Sequence, residues 1–272
     1  MSEVEILPAR ISSEDFVELC RAVGLIETNS LATRLSRAVG GRVEALGRAL
    51  PQSARGAVAY ATESAMKVAL KVALRTLGPD RGTRAASERL HKVAAAASGA
   101  VGGAFGLAAL AVELPVSTTI LLRSIADIAR SEGEDLSQPE ARLACMEVFA
   151  LGGHEDDEAG MEGGYLAARA MLARSVGESA KFLLSSGLAG ETAPIVVRLI
   201  SQVATRFGVA VSEKLAAQAV PILGAVGGAA VNAAFADHFQ ALARGHFIVR
   251  RLERQYGADL VHESYRRIAA EP

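Results

Sequence analysis

The six-residue sequence GAVGGA occurs twice in this chain, at residues 99–104 and again at residues 224–229. The first copy lies within VAAAASGAVGGAFGLAALAV, residues 93–112, a run without a single charged side chain. A run of this length can cross a bilayer as a helix. Alternatively, glycines spaced three or four residues apart allow two helix backbones to approach closely. The choice between a membrane span and close helix packing therefore decides the fold.

Composition favours close packing over membrane insertion. Six residues of the first run are Val, Phe or Leu, and together they contribute about −3 kcal/mol on an insertion scale, which glycine and serine oppose. The second run, residues 215–236, also contains Gln218, Pro221 and Asn232, which disfavour a span further. Because glycine in a helix interior costs about 1 kcal/mol relative to alanine, several in one helix indicate a compensating contact. We therefore predict two central Gly/Ala-rich helices that are packed closely together.

The overall composition predicts an all-α fold in a single domain spanning residues 1–272. Half of the residues are hydrophobic but 4% are aromatic, so Ala, Val and Leu supply most of the apolar volume. No convincing run alternates with the period of two that a half-buried strand requires. A net charge of −1 argues against nucleic acid as a partner. Two widely separated cysteines, and an N-terminus that lacks the features of a secretory signal, predict a cytoplasmic protein.

Charge is unevenly distributed along the chain. Residues 30–92 contain twelve basic and four acidic residues, whereas residues 132–163 contain ten acidic residues and one arginine. Such asymmetry is expected where one region faces an anionic surface or where the two regions contact each other, and two solvated faces are the simpler alternative. We predict basic amphipathic helices within residues 1–90. One of them, over residues 30–50, is either an outer helix of a bundle or a helix that lies on an anionic membrane.

Proline, glycine and capping signals divide the chain into further helices. Ser12 is expected to cap a helix that ends near Val23, and Pro115 and Pro139 are each expected to open a helix. An acidic loop is expected over residues 152–164, where HEDDE lacks the ligand spacing of a calcium loop. The remaining helices are predicted over residues 57–74, 85–112, 165–184, 192–207, 209–220, 221–255 and 260–269.

Two polar residues interrupt the apolar stripe of the last long helix. Asn232 and His246 share the helical spacing of four core residues, namely Phe235, Phe239, Leu242 and Val249. A buried amide or imidazole needs hydrogen-bond partners, so both residues must meet specific groups in the core. His238 lies about 80° from His246 around the same helix.

Acidic residues elsewhere suggest a sharper interpretation. Glu113 ends the first apolar run, and Arg123 and Asp127 lie four residues apart, where a surface ion pair is the simpler interpretation. If the two glycine helices cross, Glu113 and Asp127 approach His238 and His246. Two carboxylates and two imidazoles suit a divalent metal or a general acid–base pair. A satisfied core histidine is the simpler alternative for each imidazole.

Four segments of the chain resemble the EcsC family. They are residues 99–136, the VFALGG turn at residues 148–153, GYLAARAML at residues 164–172, and residues 220–257. The resemblance covers a core of residues 91–265. Family members often carry Asp-Leu-Pro where this chain has Glu113-Leu114-Pro115, and they tend to carry an aromatic residue at the position of Glu132.

The resemblance implies a mostly helical bacterial protein without an established reaction. The founding member is encoded beside the ATPase and membrane subunits of an ABC transporter, which implies a transporter accessory role. The polar positions that recur in the family have no assigned roles; here they are Glu113, Arg123, Asp127, Tyr165, Arg169, Asn232, Arg244 and His246.

The first functional hypothesis is an accessory or binding protein without catalysis. It would rest on the cytoplasmic side of the inner membrane, or against ABC transporter subunits, through the basic helices of residues 1–90. Its candidate binding residues are Glu113, Arg123, Asp127, Asn232, His238, Arg244 and His246.

The alternative hypothesis is a metal-assisted hydrolase. Its divalent metal would be held between the central helices by Glu113, Asp127, His238 and His246. A third hypothesis is a pocket between the glycine helices that holds a lipid or another apolar ligand.

Overall fold

The structure is a computed structural model that describes residues 10–28, 30–40, 52–77, 110–152, 164–186, 192–218 and 224–270. These ranges contain nine α-helices and no strand, which confirms the predicted all-α fold. The first GAVGGA sequence and the HEDDE sequence lie outside the described residues. The crossing of two glycine helices therefore stays a prediction, as does the apolar pocket between them.

The helices are numbered along the chain. They are α1 (Ser13–Glu27), α2 (Leu31–Val39), α3 (Gln52–Thr76), α4 (Leu110–Ser131), α5 (Pro139–Leu151), α6 (Gly164–Ser186), α7 (Pro194–Gln218), α8 (Gly224–Tyr256) and α9 (Ala258–Ala270).

Helix α8 is the central element of the bundle. It packs against α1, α2, α4, α5, α7 and α9, and the whole stripe predicted from its sequence is buried, including Asn232 and His246. Two of its phenylalanines join one from α5 and one from α7 in an aromatic cluster with ring centroids 4.9 to 6.0 Å apart. These four residues are Phe149, Phe207, Phe235 and Phe239. Both polar residues of the stripe therefore lie in the buried core of the bundle.

Several predicted helix boundaries are wrong. Helix α1 continues through Gly24 to Glu27, beyond its predicted end near Val23. Helix α2 ends at Val39, because Gly40 adopts a left-handed backbone with φ of 68° and caps the helix. Pro115 lies inside α4 and does not open it; its missing N–H removes one backbone hydrogen bond from that helix. Helix α7 continues through Gly208, where a side chain would meet nothing within 4 Å, so the two helices predicted there are one.

A close helix approach occurs at Gly245 of α8. A Cβ atom at this position would lie 2.6 Å from Ile26 Cγ1 and 2.9 Å from the Ala22 carbonyl oxygen, both in α1. Glycine is therefore required for α1 and α8 to lie at this separation. The second GAVGGA sequence forms the first turns of α8, so the uncharged run over residues 215–236 is divided between α7 and α8.

Among the described helices, α7 is long and apolar enough to cross a membrane, with 25 residues. It packs against α2, α3, α5, α6 and α8, and it contains a buried lysine that is paired with a glutamate. The core helix of a helical bundle has the same length and composition, and the packing of α7 is that of a core helix.

Candidate functional site

A buried ion pair joins α4 and α7 beside the first half of α8. Lys214 Nζ lies 2.8 Å from Glu113 Oε1, and the two side chains are 1% and 8% exposed. The side-chain amide of Asn232 donates a hydrogen bond of 3.3 Å to the same carboxylate oxygen. The ammonium group also lies 5.2 Å from the ring centroid of Phe235, a distance at which the ring face attracts a cation. We call Glu113, Lys214 and Asn232 the Glu113 cluster.

The Glu113 cluster holds two charges away from water. Burial lowers the pKa of Lys214, and the neighbouring Glu113 carboxylate opposes that shift. Taking each charge out of water costs several kcal/mol, which the mutual attraction and the added hydrogen bond from Asn232 offset. The cluster therefore ties three helices together, and its ammonium group is enclosed by protein.

His246 lies further along α8 and meets a different partner. The hydroxyl of Tyr165 in α6 lies 3.0 Å from His246 Nδ1, and both side chains are buried. In the described part of the chain His246 Nε2 is buried without a hydrogen-bond partner. Burial lowers the pKa of His246 well below its ordinary value, and the positive charges of Arg169 and Arg250 lower it further. The imidazole is therefore neutral at physiological pH.

Arg169 of α6 connects Tyr165 to the end of α8. Its guanidinium donates hydrogen bonds of 2.6 and 3.0 Å to the two carboxylate oxygens of Glu253, and it lies 5.5 Å from the ring centroid of Tyr165. His262 Nε2 of α9 lies 2.6 Å from the same carboxylate. Burial alone would raise the pKa of Glu253, but the bonds from Arg169 and His262 outweigh burial and lower it. We call Tyr165, Arg169, His246, Glu253 and His262 the Arg169 network.

A cleft of 510 Å³ opens beside the Arg169 network, bounded by α5, α6, α8 and α9. Pockets of this volume hold small molecules in other proteins. Glu147 of α5 lines the cleft and is 5% exposed, and it forms neither a hydrogen bond nor an ion pair with any described residue. Burial raises the pKa of Glu147 to about 7, while Arg169 and Arg250 act in the opposite direction. Glu147 is thus a buried acid that lines an open space and has no hydrogen-bond or ion-pair partner among the described residues.

The last turns of α8 carry arginines that contact the start of the acidic segment. Arg250 and Arg254 both bind Glu134, and Arg251 donates a hydrogen bond of 3.0 Å to Glu132. For these two glutamates, the partner is α8 and not the basic region of residues 30–92. The position of Glu132, where family members tend to carry an aromatic residue, is here an ion-pair position.

The predicted four-residue metal site does not form. Glu113 binds Asn232, whereas His246 lies fourteen residues further along α8, or about 21 Å at 1.5 Å per residue. One ion cannot contact both side chains. In the described ranges, no group of three or more His, Cys, Asp or Glu residues is placed to hold a metal ion. The metal-assisted hydrolase therefore lacks its predicted site.

The other predicted site residues lie apart from both clusters. His238 Nε2 is 3.4 Å from the Gly152 carbonyl oxygen, and Asp127 pairs with Arg130 at 2.9 Å. Arg123 is exposed, and Arg244 is half-buried near α1, where burial and the charge of Arg21 lower the pKa of Arg244. Of the seven candidate binding residues, the structure therefore joins Glu113 to Asn232. His246 belongs to the Arg169 network, and the remaining four lie elsewhere.

Sequence reasoning missed Lys214 and Glu147. Glu147 is the one acid in ACMEVFAL, and a lone charge within an apolar helical run was the available signal for it. Lys214 directly follows Glu213 in α7, so its sequence position resembles that of an ordinary surface charge. The family resemblance alone indicated Tyr165 and Arg169, and it did not indicate which residues they contact.

The outer surface of α3 forms a separate basic region. Tyr60, Lys67, Lys71 and Arg75 are exposed and lie on one side of the helix, because their spacings of seven, four and four residues match helical turns. Glu63 lies at the edge of this side and pairs with Lys67 at 2.6 Å. We call Tyr60, Lys67, Lys71 and Arg75 the α3 basic face.

Comparison with known proteins identifies one family. Residues 25–252 match the EcsC protein family, a range that contains the Glu113 cluster, Tyr165, Arg169 and His246. Comparison with curated proteins and with solved structures gives no match. Because the match covers most of the chain, this protein belongs to the EcsC protein family.

Proposed function

We propose that this EcsC-family protein is an accessory protein that binds the anionic cytoplasmic surface of a membrane. The observation that carries the proposal is the α3 basic face, where three basic side chains and Tyr60 are exposed together on one side of a helix. Each Lys or Arg near an anionic leaflet contributes about 1 kcal/mol. Three such residues are sufficient for weak, reversible attachment.

Exposed apolar side chains on α3 and on the helix packed against it support the same function. Tyr60 is 73% exposed, and tyrosine favours the interface between lipid headgroups and acyl chains. Helix α4 packs against α3 and carries two further exposed apolar residues, Val112 and Val116. Basic and apolar groups on neighbouring helices are typical of proteins that lie on a membrane without crossing it.

Membrane attachment would place the protein beside transporter subunits. The family resemblance implies a neighbouring ABC transporter, and the proposed role is to act next to it at the cytoplasmic surface. Crosslinking of the membrane-bound protein in cells, followed by identification of the crosslinked subunits, tests this part of the proposal. If the protein binds membranes but forms no crosslinks to transporter subunits, the lipid interaction is kept as a proposal and the transporter role is rejected.

The direct test is co-sedimentation with liposomes. We expect binding to vesicles that contain phosphatidylglycerol, weaker binding as salt rises, and no binding to vesicles of phosphatidylcholine alone. The double variant Lys67→Glu/Lys71→Glu should lose most of this binding. The matched control is Lys181→Glu/Arg198→Glu, because these residues are exposed on α6 and α7. Binding that ignores lipid charge and salt, or equal loss in both variants, would contradict the proposal.

A further inference from the structure

We propose that the cleft between α5, α6, α8 and α9 binds an aliphatic primary amine, whose ammonium group pairs with the carboxylate of Glu147. This binding site is separate from the α3 basic face, and it does not depend on membrane attachment. The proposal is carried by three observations: a buried acid with no hydrogen-bond or ion-pair partner among the described residues, arginines that already have partners, and an apolar wall formed by α6.

Glu147 is the buried acid of the cleft, and the described residues provide it with no hydrogen bond and no ion pair. Its side chain is 95% buried, as its 5% exposure indicates, yet it lines an open volume of 510 Å³. A buried carboxylate without a hydrogen-bond donor is costly, and a donor that carries a positive charge compensates that cost best. A ligand that enters the cleft can supply such a donor.

The two arginines nearest to Glu147 are engaged elsewhere. Arg169 donates both of its short hydrogen bonds to Glu253, and Arg250 donates to Glu134 at 2.8 Å. Each guanidinium is therefore paired with a carboxylate other than Glu147, and Arg250 shares Glu134 with Arg254. Glu147 is left as the unbalanced charge, and the site favours a cationic ligand over an anionic one.

The opposite wall of the cleft suits an alkyl chain. It is formed by one side of α6, whose lining residues other than Arg169 are small or aliphatic. They are Leu166, Ala167, Ala170, Ala173, Val176 and Gly177. Small side chains along a helix leave a smooth apolar surface, and burial of a methylene group against it contributes about 0.8 kcal/mol in general.

A metal ion does not fit this site. Glu147 supplies a single carboxylate, and no described group of three His, Cys, Asp or Glu residues is arranged around a common point. At the rim, Glu140 and Arg266 are exposed and of opposite charge, and the half-buried His262 lies beside them. The rim is therefore close to neutral, and the buried acid determines the sign of the ligand's charge.

The experiment is a titration of the full chain by isothermal calorimetry at pH 8, with hexylamine, 1-hexanol and hexanoate as probes. The three probes share one alkyl chain and differ in charge. We expect saturable binding of hexylamine, and at least about tenfold weaker binding of the other two, because a hydrogen bond to a charged group is worth about that factor. At pH 5.5 the affinity for hexylamine should fall, because Glu147 then carries a proton.

Three variants separate the carboxylate from the rest of the cleft. Glu147→Gln should weaken hexylamine binding about tenfold while it keeps the helical circular dichroism spectrum. Glu14→Gln is the control, because Glu14 is an exposed acid of α1 and does not line the cleft, and this variant should bind within about twofold of the original chain. Ala170→Leu narrows the cleft from the opposite wall and should also weaken binding, without a change in charge.

Each alternative result has a definite consequence. No saturable binding of hexylamine, equal binding of hexanoate, or unchanged binding to Glu147→Gln would overturn the proposal. Equal weakening by Glu14→Gln and Glu147→Gln would overturn it as well, since general attraction by surface acids would then explain the binding. Liposome binding should be the same in Glu147→Gln and the original chain, so the two proposals fail independently.

Discussion

Buried charged residues lie beside both halves of α8, but they are paired differently in the two regions. Beside the first half, Lys214 and Glu113 satisfy each other at 2.8 Å and are almost fully enclosed. Beside the second half, Arg169 and Glu253 are 16% and 14% exposed, and a cleft adjoins them. Glu147, which lines that cleft, forms no hydrogen bond or ion pair with the residues that the structure describes.

This difference separates a structural role from a binding role. The composition of the two regions is similar, since each contains a carboxylate, a cation and a polar residue of α8. What differs is whether every buried charge finds its partner inside the protein. An ion pair that is enclosed by protein orders the core, whereas an acid that lines a cleft can still bind a ligand.

The variant with the largest expected effect tests whether the Glu113 cluster is closed to water. Lys214→Met should lower the free energy of unfolding by about 3–5 kcal/mol, because it leaves Glu113 as an unpaired buried acid. Urea denaturation at pH 7 measures this loss. The double variant Glu113→Leu/Lys214→Met should recover most of it. A single-variant cost below about 1 kcal/mol would show that water reaches the pair.

A second test addresses the unpaired acid through its pH dependence. The pKa of Glu147 is raised to about 7 from 4.5, so the folded state keeps a proton that the unfolded state loses between these values. Protonated Glu147 therefore stabilises the folded state fully below pH 4.5. This stabilisation, about 3 kcal/mol in total, is lost as the pH rises to 7. Urea denaturation at pH 5 and pH 8 should show a smaller decrease for Glu147→Gln than for the original chain.

The matched control for the pH test is Glu140→Gln. Glu140 lies on the same helix but is exposed, so this variant should keep the decrease of the original chain between pH 5 and pH 8. If Glu147→Gln kept the same decrease too, Glu147 would not be the titrating group, and the contrast between the two halves of α8 would lose its main support.

A third test concerns the contact between Tyr165 and His246 beside the second half of α8. Tyr165→Phe removes the hydroxyl that lies 3.0 Å from His246 Nδ1 and leaves that nitrogen buried without its partner. We expect a loss of about 1–3 kcal/mol in the free energy of unfolding, measured by urea denaturation. Tyr60→Phe is the control, because Tyr60 is exposed and its loss should be near zero. Equal small effects would mean that His246 is hydrated.

The smallest expected effect compares an exposed ion pair with the enclosed one. Lys67 and Glu63 lie 2.6 Å apart, but their side chains are 56% and 46% exposed. Lys67→Ala should therefore change the free energy of unfolding by no more than about 0.5 kcal/mol. A thermal melt at low salt is the sensitive measurement. A larger loss would also mean that the liposome experiment needs a different variant of the α3 basic face.

Much of the fold was predictable because local chemistry determines it. Ser12 caps α1 by accepting a hydrogen bond from the Asp15 N–H, and Pro139 opens α5, as their sequence positions predict. The buried stripe of α8 followed from spacing alone. The break at Gly40 and the continuation through Gly208 did not follow, because a glycine either ends a helix or is tolerated according to the tertiary space around it.

The candidate site was less predictable than the fold. Burial of Asn232 and His246 implied hydrogen-bond partners, but their identity depends on α6 and α7, which are distant in sequence. Lys214 contacts Glu113 across 101 positions, and Tyr165 contacts His246 across 81. The helical period places a residue on a face of its own helix, and it contains no information about which other helix lies opposite.

The attachment of α1 to the end of the chain has a consequence for biosynthesis. Asp15 accepts a hydrogen bond from the Tyr256 hydroxyl at 2.6 Å, and Glu27 accepts one from Tyr265 at 2.6 Å. Because α1 leaves the ribosome before α8 and α9, its apolar side stays uncovered until these two helices have been synthesised. Exposed apolar surface of this kind favours aggregation of incomplete chains.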